Sequence, residues 1–243
     1  MVLSALAALA GAFVQSATGF GFALILSPAL FAVLEPVEAV TALLVLGLAL
    51  NLLVLFERGR PEHVDWRGLL PVLVAAIPGL ALGVVALIQL SKEFLQVAVG
   101  VAVILAAAWA LRRRNRSQER TRLAPAAAWA VGFASGVLTT SISVSGPPVV
   151  LWLEARGVRA EEFRATLAAS FLALNLAGGA VLLAAEGAGT FEAGTVLPLL
   201  ALVAVGYLIG ERAFRRFDRE RFFTAVLVLV AVTGAASIVA GLL

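Results

Sequence analysis

The stretch Gln15-Ser-Ala-Thr-Gly-Phe-Gly21 interrupts an apolar run that extends over residues 2–34. A second stretch, Thr139-Thr-Ser-Ile-Ser-Val-Ser-Gly-Pro-Pro148, interrupts the apolar run of residues 124–155 in the same way. Glycine and proline break helices, and the hydroxyl groups between them do not suit an apolar environment. Each run is therefore predicted to be a broken helix, which either continues in its original direction or turns back as a hairpin.

The composition around these two runs is that of a membrane protein. Of the 243 residues, 62% are hydrophobic, and all 17 arginines fall within four short segments, residues 57–67, 112–122, 154–164 and 211–221. Water-soluble domains scatter charge over their whole surface, so charge confined to loops indicates a chain built for a bilayer. Six further apolar stretches approach the roughly 20 residues that a membrane-spanning helix needs. They are residues 37–56, 69–89, 94–111, 165–185, 193–210 and 222–242.

The charge pattern and the composition exclude several classes of function. The net charge of +3 does not indicate nucleic-acid binding, because the basic residues border membrane segments, where arginine faces the cytoplasm and anionic lipid. The chain contains no cysteine, which excludes disulfides and thiolate chemistry. We expect no metal, no cofactor and no signal peptide, since the N-terminus lacks a basic region.

The distribution of basic residues decides between the two paths for the broken runs. If both runs cross the membrane, nine basic residues lie on each side and no orientation is favoured. If both are hairpins, all 17 arginines gather on one side and only Lys92 lies on the other. Because cytoplasmic loops carry the excess of positive charge, the hairpins are favoured. This predicts a multi-pass protein of the plasma (inner) membrane with Met1 and Leu243 extracytoplasmic and Gln118 cytoplasmic.

The order of segments repeats along the chain. The first repeat, residues 1–111, is a hairpin (2–34) followed by three spans, and residues 112–123 form a basic cytoplasmic linker. The second repeat, residues 124–243, is a hairpin (124–155) followed by three spans. Three is an odd number, so the second repeat is inverted relative to the first. We therefore predict an all-α polytopic membrane protein with two inverted repeats, each a broken re-entrant helical hairpin plus three transmembrane helices, a plan that transporters use.

Spaced glycines support this alignment. Gly79 and Gly83 recur 127 residues later as Gly206 and Gly210. We interpret both pairs as faces where helices pack closely, and we also pair Gly11 with Gly132.

The two interruptions are where a binding site is expected. Backbone that is not hydrogen-bonded within a helix must be buried in protein or line a wet cavity, because lipid offers it no partner. Thr18 is predicted to cap one short helix and Ser145 another that opens with proline, and helix N-termini attract anions. No lysine or arginine is expected at membrane depth, so amides and hydroxyls would hold the anion. The candidate substrate-binding residues are Gln15, Thr18, Gly19, Phe20, Gly21, Asn51, Thr139, Thr140, Ser141, Ser143, Ser145, Gly146 and Asn175.

Each polar residue also has a purely structural interpretation, in which it satisfies broken backbone or joins neighbouring helices. For Asn51 and Asn175, hydrogen bonding between helices is as good an interpretation as substrate binding.

With these features in place, the chain resembles the sulfite exporter TauE/SafE family of membrane permeases over nearly its whole length. The first repeat carries Gly11-Ala-Phe-Val-Gln-Ser-Ala-Thr-Gly-Phe-Gly-Phe22 and Ser27-Pro28, and the second carries Gly132-Phe-Ala-Ser-Gly136 and Ser145-Gly-Pro-Pro-Val-Val-Leu151. The resemblance implies export or uptake of small anions, often sulfur oxyanions, organosulfonates or related carboxylates. Many family members have a Gly-Gly-Gly turn where this chain has Gly19-Phe-Gly21 and Ser143-Val-Ser145.

The leading hypothesis is a transporter of small anions such as sulfite, organosulfonates or related organic anions, working by alternating access at a midplane site between two re-entrant hairpins. An anion channel is the alternative, since the same turns would make a filter. An enzyme is disfavoured, because Ser143 and Ser145 have no histidine in a membrane segment to act as base. A non-transporting scaffold leaves the two polar breaks unexplained. The expected partners are a small anionic substrate and membrane lipid but no nucleic acid, and a homodimer stays open.

Overall fold

The structure is a computed structural model that describes residues 2–56, 64–114, 125–187, 192–214 and 219–242. The described backbone forms ten helices. Those of the first half are α1 (Val2–Thr18), α2 (Phe22–Phe31), α3 (Pro36–Phe56), α4 (Trp66–Gln89) and α5 (Lys92–Arg114). Those of the second half are α6 (Pro125–Ile142), α7 (Gly146–Ala155), α8 (Ala160–Glu186), α9 (Ala193–Phe214) and α10 (Arg219–Leu242). Two short breaks, after α1 and after α6, fall inside the polar stretches of the sequence.

Five segments are long and apolar enough to cross a membrane: Pro36–Phe56, Trp66–Gln89, Lys92–Trp109, Glu162–Glu186 and Ala193–Arg212. They lie in α3, α4, α5, α8 and α9 and contain the predicted spans almost completely. In the sixth predicted span, the apolar part with described side chains is the shorter segment Val228–Leu242 of α10. The protein is therefore an all-helical membrane protein with several spans, as predicted.

Helix α4 packs along α6 through two glycines. Gly79 lies against the Phe133 carbonyl, and Gly83 lies against Val137 and the Thr140 hydroxyl. A Cβ atom at either glycine would overlap these groups, so the close approach of the two helices depends on the missing side chains.

Helix α9 packs along α1 in the same manner. Gly206 lies against the Leu9 carbonyl, and Gly210 lies against Phe13 and the Ser16 hydroxyl. Each of these α1 residues stands 124 positions before its counterpart on α6. The predicted glycine packing faces are thus contacts between helices. The first half contributes its glycines on α4 to a contact with α6, and the second half contributes its glycines on α9 to a contact with α1. The remaining long helices pair across the halves, α3 with α8 and α5 with α10.

The predicted pairing of Gly11 with Gly132 does not hold. Gly11 packs on Phe22 of α2, whereas Gly132 packs on Val72 and Ala75 of α4. The two glycines therefore permit different contacts, one within a broken run and one between a broken run and a span.

Candidate functional site

The two breaks meet at a partly open cavity between helices of the two halves. We call residues 19–21, between α1 and α2, the first connecting turn, and residues 143–145, between α6 and α7, the second connecting turn. The cavity has a volume of about 40 Å³, more than the roughly 10–15 Å³ that one water molecule needs. Its lining is Gln15, Phe20, Gly21, Phe22, Ala23, Leu24, Leu43, Gly47, Asn51, Ser143, Val144, Ser145, Gly146, Phe171 and Asn175. None of these side chains carries a charge.

The structure brings eight of the predicted site residues to this cavity and leaves five outside its lining. Those on the lining are Gln15, Phe20, Gly21, Asn51, Ser143, Ser145, Gly146 and Asn175. Those outside it are Thr18, Gly19, Thr139, Thr140 and Ser141.

The three hydroxyl groups at the end of α6 hold backbone. Thr139 and Ser141 donate to carbonyls one turn earlier in α6, at 2.6 and 2.7 Å. Thr140 donates to the Leu80 carbonyl of α4 at 2.7 Å. All three are buried and serve the helix or its packing.

Thr18 closes the first connecting turn. Its hydroxyl lies 2.6 Å from the Phe20 carbonyl, to which it donates, and 3.3 Å from the Phe20 N–H. Gly19 and Gly21 have φ angles of 87° and 113°, in the left-handed region that favours glycine. The prediction that Thr18 caps α2 is wrong, because Gly21 occupies the N-cap position and the Thr18 hydroxyl is spent inside the turn.

Gln15, and not Thr18, is the side chain that bonds to the start of α2. Its Oε1 accepts a hydrogen bond from the N–H of Phe22, the first residue of α2, at 3.3 Å. Its Nε2 donates to Oδ1 of Asn51 at 2.8 Å, and Nδ2 of Asn51 donates to the Gly47 carbonyl at 2.7 Å. This chain of bonds ties α1, α2 and α3 together. A glutamine seven residues before a helix matches no capping motif, so the sequence offered no signal for this role.

Asn175 stands 124 residues after Asn51 but has different surroundings. At the position that matches Gln15, the second half has Thr139, whose short side chain bonds to its own helix. Within the described part of the chain, the Asn175 amide has no hydrogen-bond partner. A Cβ atom on Gly47 would lie 2.6 Å from its Nδ2, so this glycine makes room for the amide at the cavity.

The second connecting turn brings another potential donor, the Ser145 hydroxyl, to the cavity. Ser145 occupies the N-cap position of α7 as predicted, with proline in the first turn, but its side chain makes no capping hydrogen bond. Proline has no N–H, so Gly146 is the main backbone donor at the start of α7. At the start of α2, Ala23 and Leu24 also line the cavity, and both have a backbone N–H. The two helix starts therefore differ in the number of backbone donors near the cavity.

Ser143 adopts a φ of 58°, at the place in the second connecting turn that Gly19 holds in the first. A residue with a side chain pays about 1–2 kcal/mol for this left-handed conformation. Its hydroxyl donates to the Thr139 carbonyl at 3.3 Å. The surrounding helices thus impose on a serine the backbone shape that glycine adopts readily.

Comparison with known proteins identifies the family. The model of the family described as sulfite exporter TauE/SafE matches residues 3–237. A curated relative from Cupriavidus necator, described as "Probable sulfite/organosulfonate exporter TauE", is 26% identical over 162 residues, which are 65% of this chain and 62% of the relative. The match thus spans less than two thirds of that relative, and no solved structure matches the chain significantly. Because the family model covers nearly every described element, the chain belongs to the sulfite exporter TauE/SafE family.

Proposed function

We propose that the protein is a transporter of small anions such as sulfite, organosulfonates or related organic anions in the plasma (inner) membrane. The observation that carries the proposal is the meeting of two broken helices, one from each half, at an uncharged cavity with unused donors. Broken helices at membrane depth are where transporters bind their substrates. The family and the printed description of the Cupriavidus necator relative support the class of substrate.

The proposed anion ligands are donors at the cavity for which the described residues provide no hydrogen-bond partner. They are Nδ2 of Asn175, the Ser145 hydroxyl and the N–H groups of Ala23 and Leu24. A hydrogen bond to a charged group contributes roughly 1.5–3 kcal/mol. A few such bonds therefore offset much of the free energy that it costs an anion to leave water. Because no cation lies on the lining, the anion is bound without being trapped, which suits passage across a membrane.

Gln15 and Asn51 have a different role in this proposal. Their amides already bond to each other, to Phe22 and to Gly47. They therefore hold the start of α2 in place and do not need to touch the substrate.

We further propose that residues 1–111 and 124–243 are inverted repeats and that each broken run is a re-entrant hairpin. Helices α2 and α7 have 10 residues each, and at about 1.5 Å per residue such a helix is about 15 Å long, half of the roughly 30 Å hydrocarbon core. The reciprocal glycine contacts of α4 with α6 and of α9 with α1 support the repeat. Alternating access then follows from motion of one half against the other around the cavity.

Most of the linker 112–123, together with Met1, Gln118 and Leu243, lies outside the described residues.

The function is tested on purified protein in detergent and in proteoliposomes. Sulfite or a short organosulfonate should raise the Tm, since a ligand at one hundred times its Kd stabilises the folded state by about 2.7 kcal/mol. Uncharged sulfones of similar size serve as controls. In proteoliposomes, the flux should saturate and should accelerate when substrate is present on the far side. Unitary currents would instead identify a channel, and the absence of both binding and flux for every anion would overturn the proposal.

The orientation gives a separate prediction. The chain has no cysteine, so Ser91→Cys, between α4 and α5, and Arg159→Cys, before α8, each create a single exposed thiol. An impermeant thiol reagent should label the first from the extracytoplasmic side and the second from the cytoplasmic side. If both broken runs crossed the membrane, the two positions would lie on the same side. Labelling of both from one side would therefore contradict the hairpins.

A further inference from the structure

One arginine of the second half reaches the first connecting turn. Arg164 lies five residues into α8, inside the candidate span Glu162–Glu186 and not in a loop as predicted. Its Nη2 donates a hydrogen bond to the Ser16 carbonyl at 2.6 Å. Its side chain also packs on the turn, where a Cβ atom on Gly19 would lie 3.3 Å from its Cγ. Arg164 is half-buried, so its side chain is held between α8 and the turn.

The chemistry of this contact favours a fixed position for the turn. The Ser16 carbonyl is one of the last four of α1, which have no acceptor role within the helix. A positive charge at the carboxyl end of a helix is also favourable. On another side, α1 is held by Gly210 of α9, which lies against Ser16 and Phe13. The end of α1 is therefore held by two helices of the other half, one through close packing and one through a cation.

Arg164 lies between the start of α8 and the residues of α8 that line the cavity. Arg164, Phe171 and Asn175 are spaced seven and four residues apart, so they share one face of α8. The rise of an α-helix places Arg164 about 10 Å along the axis from Phe171, which lines the cavity. The first connecting turn, on which Arg164 packs, contributes Phe20 to the same lining. A solute that approaches along the start of α8 therefore meets Arg164 first.

The second connecting turn has no such cation among its described contacts. At the end of α6, the carbonyl of Ile142, next to the second connecting turn, accepts a hydrogen bond from the Ser27 hydroxyl of α2 at 2.9 Å. One turn is thus held by a charged group and the other by a neutral one. The contacts that hold the two turns are therefore electrostatically different, although the helices around them are arranged alike.

We infer that Arg164 is a positioning residue that closes the route from the arginine-rich, cytoplasmic side to the cavity. This inference rests on the proposed function of the cavity. While Arg164 holds the Ser16 carbonyl, the first connecting turn stays against α8 and the route is shut. Opening requires the guanidinium to leave this carbonyl.

The test measures access to the cavity from each side, with no need for a substrate. Ser145→Cys places a single thiol on the lining of the otherwise cysteine-free protein. An impermeant methanethiosulfonate reagent is added to everted vesicles, which expose the cytoplasmic side, or to right-side-out vesicles. Adding Arg164→Ala should raise the labelling rate from the cytoplasmic side about tenfold or more and should not raise the rate from the other side. Arg164→Lys, which keeps a charged donor, should restore a slow rate.

Arg159→Ala is the matched control, because it removes an equal charge from an exposed position just before α8. It should leave both labelling rates unchanged. If Arg164→Ala does not fold, Arg164→Gln removes the charge with less loss of volume and takes its place. Equal cytoplasmic rates for the wild-type and substituted Arg164 would overturn the inference and leave the proposed function standing. A thiol at position 145 that reacts from neither side in any variant, even with a short organosulfonate present, would instead count against the cavity as a transport site.

Discussion

Asn175→Ala should weaken the binding of sulfite or a short organosulfonate about ten- to hundredfold, because it removes one hydrogen bond to a charged ligand. The Asn175 amide has no partner among the described residues, so its loss leaves no protein group unsatisfied. Folded yield and Tm in the absence of substrate should therefore stay near those of the wild type. Titration of the purified protein by thermal shift, or by calorimetry, measures the change in Kd.

Two variants sharpen this prediction. Asn175→Asp keeps the shape but places a carboxylate on the cavity, so it should abolish anion binding by repulsion. Asn51→Ala should lower stability more than substrate affinity, the reverse of Asn175→Ala. It removes the acceptor to which the Gln15 amide donates and leaves that amide without a hydrogen-bond partner. An unsatisfied buried group costs about 1–3 kcal/mol, which appears as a lower Tm with substrate affinity much less affected. If Asn175→Ala binds as the wild type does, or if Asn51→Ala loses affinity without losing stability, the division of roles between the two amides is wrong.

Gly83→Leu should abolish the yield of folded protein. A Cβ atom at this position would overlap the Val137 carbonyl and the Thr140 hydroxyl of α6, and neither can move without shifting a helix. Inserting even small groups into a packed interior costs about 1–3 kcal/mol, and a leucine pushed against backbone costs more. Loss of a monodisperse peak in size-exclusion chromatography, at equal expression, is the measurement.

Gly179→Leu is the control for this change. Gly179 lies in the middle of α8 and has no atom within 4 Å of the place where its Cβ would be. The same substitution at the same depth of a helix should therefore give a folded protein with a Tm near the wild-type value. A folded, monodisperse Gly83→Leu variant would show that α4 and α6 do not depend on this glycine for their contact.

The helical content, the membrane class and the family could all be read from the sequence, for a physical reason. A run of about 20 apolar residues is sufficient to specify a spanning helix, and a cluster of glycine, proline and hydroxyl-bearing residues within such a run indicates where the helix breaks. Both signals are local, so the breaks of residues 19–21 and 143–145 fall where the sequence placed them. The packing role of Gly79 and Gly206 was also predictable, since small residues at four-residue spacing suit close contact between helices.

Which polar groups form hydrogen bonds with each other could not be predicted from the sequence. Thr18 and Gln15 both carry suitable groups, and only the position of Asn51 on α3 shows that Gln15 reaches α2 while Thr18 closes its own turn. Asn51 and Asn175 occupy matching places in the chain, yet Asn51 is hydrogen-bonded to Gln15 and Gly47 while Asn175 has no hydrogen-bond partner among the described residues. The difference arises because the second half has the shorter Thr139 where the first has Gln15.

The sequence by itself therefore determined which segments are helices, where two of them break and which family the chain joins, because each of these depends on residues adjacent in the chain. Only the tertiary structure decided which polar groups meet at the cavity and which are used up in packing. A hydrogen bond requires two groups within about 3 Å, and for Arg164 and Ser16 these groups are 148 residues apart in the chain. Their approach depends on how two halves pack together, and no local pattern in the sequence records it.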